Sequence, residues 1–125
     1  MQKNNVLHTK SYAFAIRAVN LSQYLTKEKK EYILSKQILR SGTSIGALVS
    51  ESEFAQSHAD FINKLMIGLK EANETKYWIN LLHDTHFISQ SMFQSLIEDI
   101  KEIIRILVSI IKKLKSTQNN DNTPF

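Results

Sequence analysis

The stretch LRSGTSIGALVSE, Leu39 to Glu51, holds two of the three glycines in a chain of 125 residues, with hydroxyl side chains and an arginine around them. Glycine, serine and threonine together are the raw material of a phosphate-binding loop. A Walker A loop, however, needs a lysine directly after its second glycine to reach the phosphates, and Ala47 follows Gly46. A dinucleotide fingerprint needs GxGxxG behind a strand, and neither is present. The alternative is a helix that accepts poor helix formers because another backbone must come close. Gly42 and Gly46 lie four apart, and Gly68 with Ala72 repeats that spacing further on, so the expectation is two helices packed tightly through small residues. Each glycine costs a helix about 1 kcal/mol relative to alanine, which the packing must offset.

Other side chains could do chemistry by type. Glu71 and Glu74 form an i, i+3 carboxylate pair and His83 and His86 an i, i+3 imidazole pair. They lie about 14 to 22 Å apart along one helix, too far to share an ion. No glutamate is followed at the third position by histidine, as di-iron bundles require. Serine, histidine and aspartate are present without a strained, glycine-flanked serine. No metal, cofactor or catalytic residue is therefore expected, and the reading is of a protein that is not an enzyme. Arg40 and Glu71 or Glu74 could instead form an ion pair fixing the register of two helices, or stand on two solvated faces. Tyr77 and Trp78 either pack beneath the first helix or anchor an oligomer interface.

The elements that would carry these residues are helical. The only proline is Pro124, and glycine occurs at 42, 46 and 68 alone, so the turns of a β-rich domain are missing. Helices are expected over 9–25, 29–53, 57–86 and 91–115. Ser57 is the expected N-cap of the third, with Asp60 three residues on. Phe93, Ile97, Ile100, Ile104, Leu107, Ile111 and Leu114 repeat at alternating four and three, with Leu96, Ile103 and Ile110 as a second row, wider than one neighbour requires. Leu34, Ile38, Ser41, Ile45 and Leu48 make a similar stripe, as do Phe61, Leu65, Gly68, Ala72, Thr75, Ile79 and Leu82. Short connections then predict an all-α, up-down-up-down antiparallel four-helix bundle over residues 8–115, with a disordered polar tail at 116–125.

Composition bounds the setting. With no cysteine, disulfides and thiolate sites are excluded, and no window is apolar enough for a membrane span, so a cytoplasmic protein with no membrane partner is expected. Sixteen Lys and Arg against twelve Asp and Glu leave a net charge of +4. The cations cluster at Lys27, Lys29, Lys30 and Lys36, and again at Lys101, Arg105, Lys112, Lys113 and Lys115. The second group is the candidate nucleic-acid surface. Its plain alternative is that Lys112, Lys113 and Lys115 complement a helix dipole and solubilise an apolar helix.

The run KQILRSGTSIGALVSESEFAQSHADFINKLMIGLKEANETKYWINLL, Lys36 to Leu82, resembles the bacterial four-helix-bundle family named for proteins encoded in intervening sequences of 23S ribosomal RNA genes. RSGTSIGA, the Ser-x-x-Asp-Phe helix start, KEAxET and YW carry the likeness, and SYAFAIRAVNLSQYL extends it to about residues 8–115. Leu48 departs from the usual asparagine, which suggests a drier contact there. The resemblance implies a left-handed bundle, commonly a ring-shaped homopentamer, with no established enzymatic activity. Related accessory proteins of diversity-generating retroelements are similar to it, and imply RNA and a reverse transcriptase as partners. A self-assembled ring would multiply any basic patch. The expected function is a non-catalytic homo-oligomer that binds RNA, and the alternative is an oligomeric scaffold for a protein partner such as a reverse transcriptase.

Overall fold

The computed structural model describes residues 2–121. Four helices follow one another: α1 (Gln2–Glu28), α2 (Leu34–Ser52), α3 (His58–Asp84) and α4 (Gln90–Asp121). Each packs on its neighbours in the order α1–α2–α3–α4, and α4 closes back on α1, so α1 and α3 face each other only across the diagonal. This is the expected four-helix architecture.

The apolar rows fill its centre. Leu7, Phe14, Leu21 and Leu25 from α1 meet Ile38, Ile45 and Val49 from α2, Leu65, Ile79 and Leu82 from α3, and Leu96, Ile100, Ile103 and Leu107 from α4. Burying each Leu or Ile stabilises the chain by about 1.5–3 kcal/mol, so these rows supply most of the driving force. Both rows of α4 are used: Ile100 and Ile103 are buried, while Ile104 and Ile110 stand half-buried on its flanks.

Five helix boundaries differ from the sequence expectation by two residues or more; α1 already begins at Gln2 rather than Thr9, and the other four lie further along the chain. Thr26 to Glu28 continue α1, because nothing there opposes a helix. The chain turns only at Lys30, whose φ of 54° is left-handed, with the Glu31 amide donating to the Leu25 carbonyl at 2.9 Å. α2 therefore starts at Leu34 rather than Lys29. Its free amides are met by Glu31, whose carboxylate accepts from Ile33, Leu34 and Ser35 at 3.2, 3.0 and 2.8 Å. α3 ends at Asp84 through a second left-handed residue, His86 (φ 69°), with the Phe87 amide on the Leu82 carbonyl at 2.9 Å. α4 runs past the expected end at Lys115 to Asp121, so 116–121, assigned to the tail, are helical; residues 122–125 lie outside the described residues. At the start of α3 the expected cap is in place: the Asp60 amide donates to Ser57 Oγ at 3.0 Å, and Asp60 Oδ2 accepts from the Gln56 amide at 3.1 Å.

The small residues of α2 do bring a second backbone close, but it belongs to α1 rather than α3. A Cβ on Gly42 would lie 2.7 Å from Ala18 Cβ, and one on Gly46 would lie 3.2 Å from the Ser11 carbonyl oxygen. On Gly68 it would meet only Leu48 Cβ, at an ordinary 3.9 Å. The expected pairing of Gly42 and Gly46 with Gly68 and Ala72 is thus corrected, since α2 turns its glycines toward the first helix. Leu48, the departure from the family pattern, is what covers Gly68.

Substitution separates the two roles. Gly42→Ala and Gly46→Ala should each lower the unfolding free energy read from urea denaturation, by the about 1–3 kcal/mol typical of overpacking. Gly68→Ala should leave it unchanged or raise it, by up to about 1 kcal/mol of helix propensity.

Candidate functional site

Arg40, Ser41 and Gly42 occupy one turn of α2 and reach different neighbours. Gly42 meets α1. Ser41 is buried, and its Oγ lies 2.9 Å from Thr75 Oγ1 of α3, which in turn is 2.8 Å from the Glu71 carbonyl oxygen. Arg40 donates through Nη1 to Glu71 Oε1 at 3.1 Å and through Nη2 to Glu74 Oε2, and Trp78 Nε1 donates to that same Glu74 oxygen at 3.0 Å. The RS of α2 and the ExxET of α3 are therefore two halves of one polar contact. Of the two readings open for Arg40, Glu71 and Glu74, the structure has the ion pair. It is only half-buried: 47% of the Arg40 side chain is exposed, against 18% for Glu71 and 34% for Glu74.

The Arg40 guanidinium, and after it the Trp78 indole N–H, hold the Glu74 carboxyl below its usual range. Glu74 first, and then Glu71, raise the arginine in return. This arrangement of Arg40, Glu71, Glu74 and Trp78 binds α2 to α3. Tyr77 and Trp78 have separate fates. Their rings meet edge to face at 5.0 Å, but Trp78 packs half-buried and serves the α2–α3 seam rather than lying beneath α1, while Tyr77 is 59% exposed.

The α1–α4 seam is held by contacts that the sequence reading missed. Arg17 Nη1 lies 2.6 Å from Asp99 Oδ2 and 3.3 Å from the Ser95 carbonyl oxygen, and Lys10 Nζ lies 3.1 Å from Glu102 Oε1. Lys10 and Arg17 are seven apart on one face of α1, a spacing that could have marked a partner helix. These pairs take up Asp99 and Glu102 of α4, while Glu98 stays exposed without a basic partner among the described residues.

Lys101, Arg105, Lys112, Lys113 and Lys115 are all exposed, and none pairs with a carboxylate among the described residues. Lys101, Arg105, Lys112 and Lys115 share one face over about 21 Å of helix, with Lys113 beside them. Because α4 continues to Asp121, no basic residue stands in its last turn. A helix dipole acts within the last turn only, so complementing it does not account for the lysines. Lys27, Lys29, Lys30 and Lys36 gather at the opposite end, where the α1–α2 turn lies beside the α3–α4 turn. No group of three or more potential metal ligands comes together among the described residues. None of the described helices is long and apolar enough to cross a membrane.

This bundle, tied through Arg40, Ser41 and the α2 glycines, is the architecture of a known class. The model of the 23S rRNA-intervening sequence protein family matches residues 3–109, and the chain belongs to that family. Among solved structures it is similar to a protein of unknown function from the S23 ribosomal protein family of Bacteroides thetaiotaomicron, determined at 1.70 Å resolution. The two are 57% identical, with a TM-score of 0.87, over 88% of this chain and 98% of the other. No curated protein matches.

The sign of the Glu74 shift fixes a pH dependence. A carboxyl that titrates lower in the folded chain stabilises it above the unfolded value, and that contribution is lost as pH falls through the folded one. Glu74→Gln should cost about 1 kcal/mol or less at neutral pH, the range for a half-exposed pair. The gap between wild type and variant, followed by urea denaturation, should narrow as the pH falls below the ordinary glutamate range.

Proposed function

We propose that the protein is a non-catalytic, cytoplasmic bundle that assembles into a ring-like homo-oligomer, expected to be a pentamer. In this reading it binds RNA through Lys101, Arg105, Lys112, Lys113 and Lys115. The observation that carries it is the row of unpaired cations on α4, set against Lys10, Arg17 and Arg40, which are all engaged within the chain. Phosphate contacts add with number, so a ring repeating this row gains affinity that a single subunit lacks.

Self-association has its own support. Tyr12, Ile16 and Val19 stand 65%, 49% and 39% exposed on α1, and Met66 and Tyr77 stand 42% and 59% exposed on α3. The same apolar residues favour the second reading, an oligomeric scaffold that takes a protein partner such as a reverse transcriptase.

Fluorescence anisotropy with a structured RNA at several salt concentrations separates the two. RNA binding predicts affinity falling steeply with salt, and the triple charge reversal K112E/K113E/K115E should weaken it at least about tenfold and flatten the salt slope by about three. The scaffold reading predicts weak binding indifferent to those changes. Sedimentation equilibrium gives the subunit number, and a monomer at all concentrations would remove the ring.

A further inference from the structure

Lys30 and His86 are the non-glycine residues with positive φ among the described residues, and both lie at the same end of the bundle. Each follows a helix C-terminus at the position where glycine is preferred, because a Cβ in the left-handed region costs roughly 1–2 kcal/mol. Both are exposed, so no packing of the side chain repays the strain. The chain keeps a cationic and a titratable side chain where the backbone alone favours none, and strained residues of this kind gather at functional sites.

What surrounds them is basic and aromatic. Lys27, Lys29, Lys30 and Lys36 are exposed on and beside the α1–α2 turn, with Tyr32 55% exposed among them. On the α3–α4 turn Asp84 is exposed beside His83. On the α1–α2 turn Glu31 keeps its charge while its carboxylate accepts from three amides at the start of α2, so the four lysines there outnumber the acids only narrowly. Glu28 is the acid left exposed on that turn. Next to it opens a cleft of about 370 Å³, lined by Tyr24, Lys29, His83, His86, Phe87 and Gln90 among others. That volume is in the range of small-ligand sites. Inside it His83 Nε2 lies 2.7 Å from Gln90 Oε1, which places polar groups between the aromatic walls.

We propose that this end of the bundle is a second site, separate from the α4 row, that binds single-stranded RNA: Lys29, Lys30 and His86 hold phosphates, Tyr32 stacks a base, and the cleft takes a neighbouring base. Unpaired bases stack on aromatic rings while lysines track the backbone, the combination this end presents. A duplex offers neither free base faces nor a base for the cleft. A membrane surface would use the lysines and the exposed Ile33, but has nothing to place in the cleft.

The inference shares only its class of partner with the α4 reading, so the two can fail separately. The test uses the full chain and a labelled single-stranded RNA of mixed sequence, about twelve nucleotides long. Lys30→Gly and His86→Gly relieve the strained turns, so each should raise the Tm by about 4–8 °C while weakening binding about three- to tenfold. Tyr32→Ala should weaken it about tenfold, and Lys30→Gly should lower the salt slope by about one. Unchanged affinity in Lys30→Gly, His86→Gly and Tyr32→Ala overturns the site. So does equal affinity for a duplex of the same length, or binding to phosphatidylserine vesicles in place of the RNA strand. Loss confined to Lys101→Glu and Arg105→Glu would leave the α4 reading standing and remove this one.

Discussion

At Gly42 there is no room for a side chain. The nearest atom of α1 would stand 2.7 Å from any Cβ placed there, and Gly46 faces the α1 backbone itself one turn later. This approach sets the rotation of α2 about its axis, and the rest of the bundle follows from that rotation. With Gly42 turned to α1, the preceding Ser41 meets Thr75 inside the bundle, and Arg40 reaches Glu71 and Glu74 at its rim. Three consecutive residues thereby join three helices. A helix rotated to relieve Gly42 would lose the buried hydroxyl contact, and unpairing a buried polar group costs about 1–3 kcal/mol.

The core was legible in the sequence because burial repeats with the helical period. Ile38, Ile45, Leu65, Ile79, Ile100 and Leu107 fall on the predicted stripes and are buried. Ser57 was legible as a cap because serine is a common one. Glu31 was not, because it caps from three residues before the helix with a side chain more often read as an interior helix former. The glycines announced a close approach without naming the partner, since Gly68 and Ala72 offer α3 the same spacing that Ala18 and Ser11 answer on α1. The Arg17–Asp99 and Lys10–Glu102 pairs were hidden for a related reason. Which exposed charges meet depends on how two helices are turned toward each other, and α1 and α4 lie far apart in sequence.

The polar features divide into two kinds. Arg40, Glu71, Glu74 and Trp78 satisfy one another, as do the charges along the α1–α4 seam, and both groups hold helices in register. The cations of α4 and those around Lys30 and His86 satisfy nothing within the chain, and the latter pair stands in a strained backbone. A side chain kept against the preference of its own turn contributes little to folding, and that is the ground on which the second RNA site is proposed there. The first kind specifies the scaffold and the second faces outward, and of the second Lys27, Lys29, Lys30, Lys36, Lys101 and Arg105 all lie within the residues that the family model matches.

The rotation of α2 against α1 is tested most directly by exchanging the two small residues that meet. Ala18→Gly, Gly42→Ala and the double variant would be compared with wild type by urea denaturation. Contact between Ala18 Cβ and position 42 predicts that the double variant is more stable than the sum of the single effects, with a coupling of at least about 1 kcal/mol. Additive effects would mean that Gly42 does not face Ala18, contradicting the packing from which the positions of Ser41 and Arg40 follow.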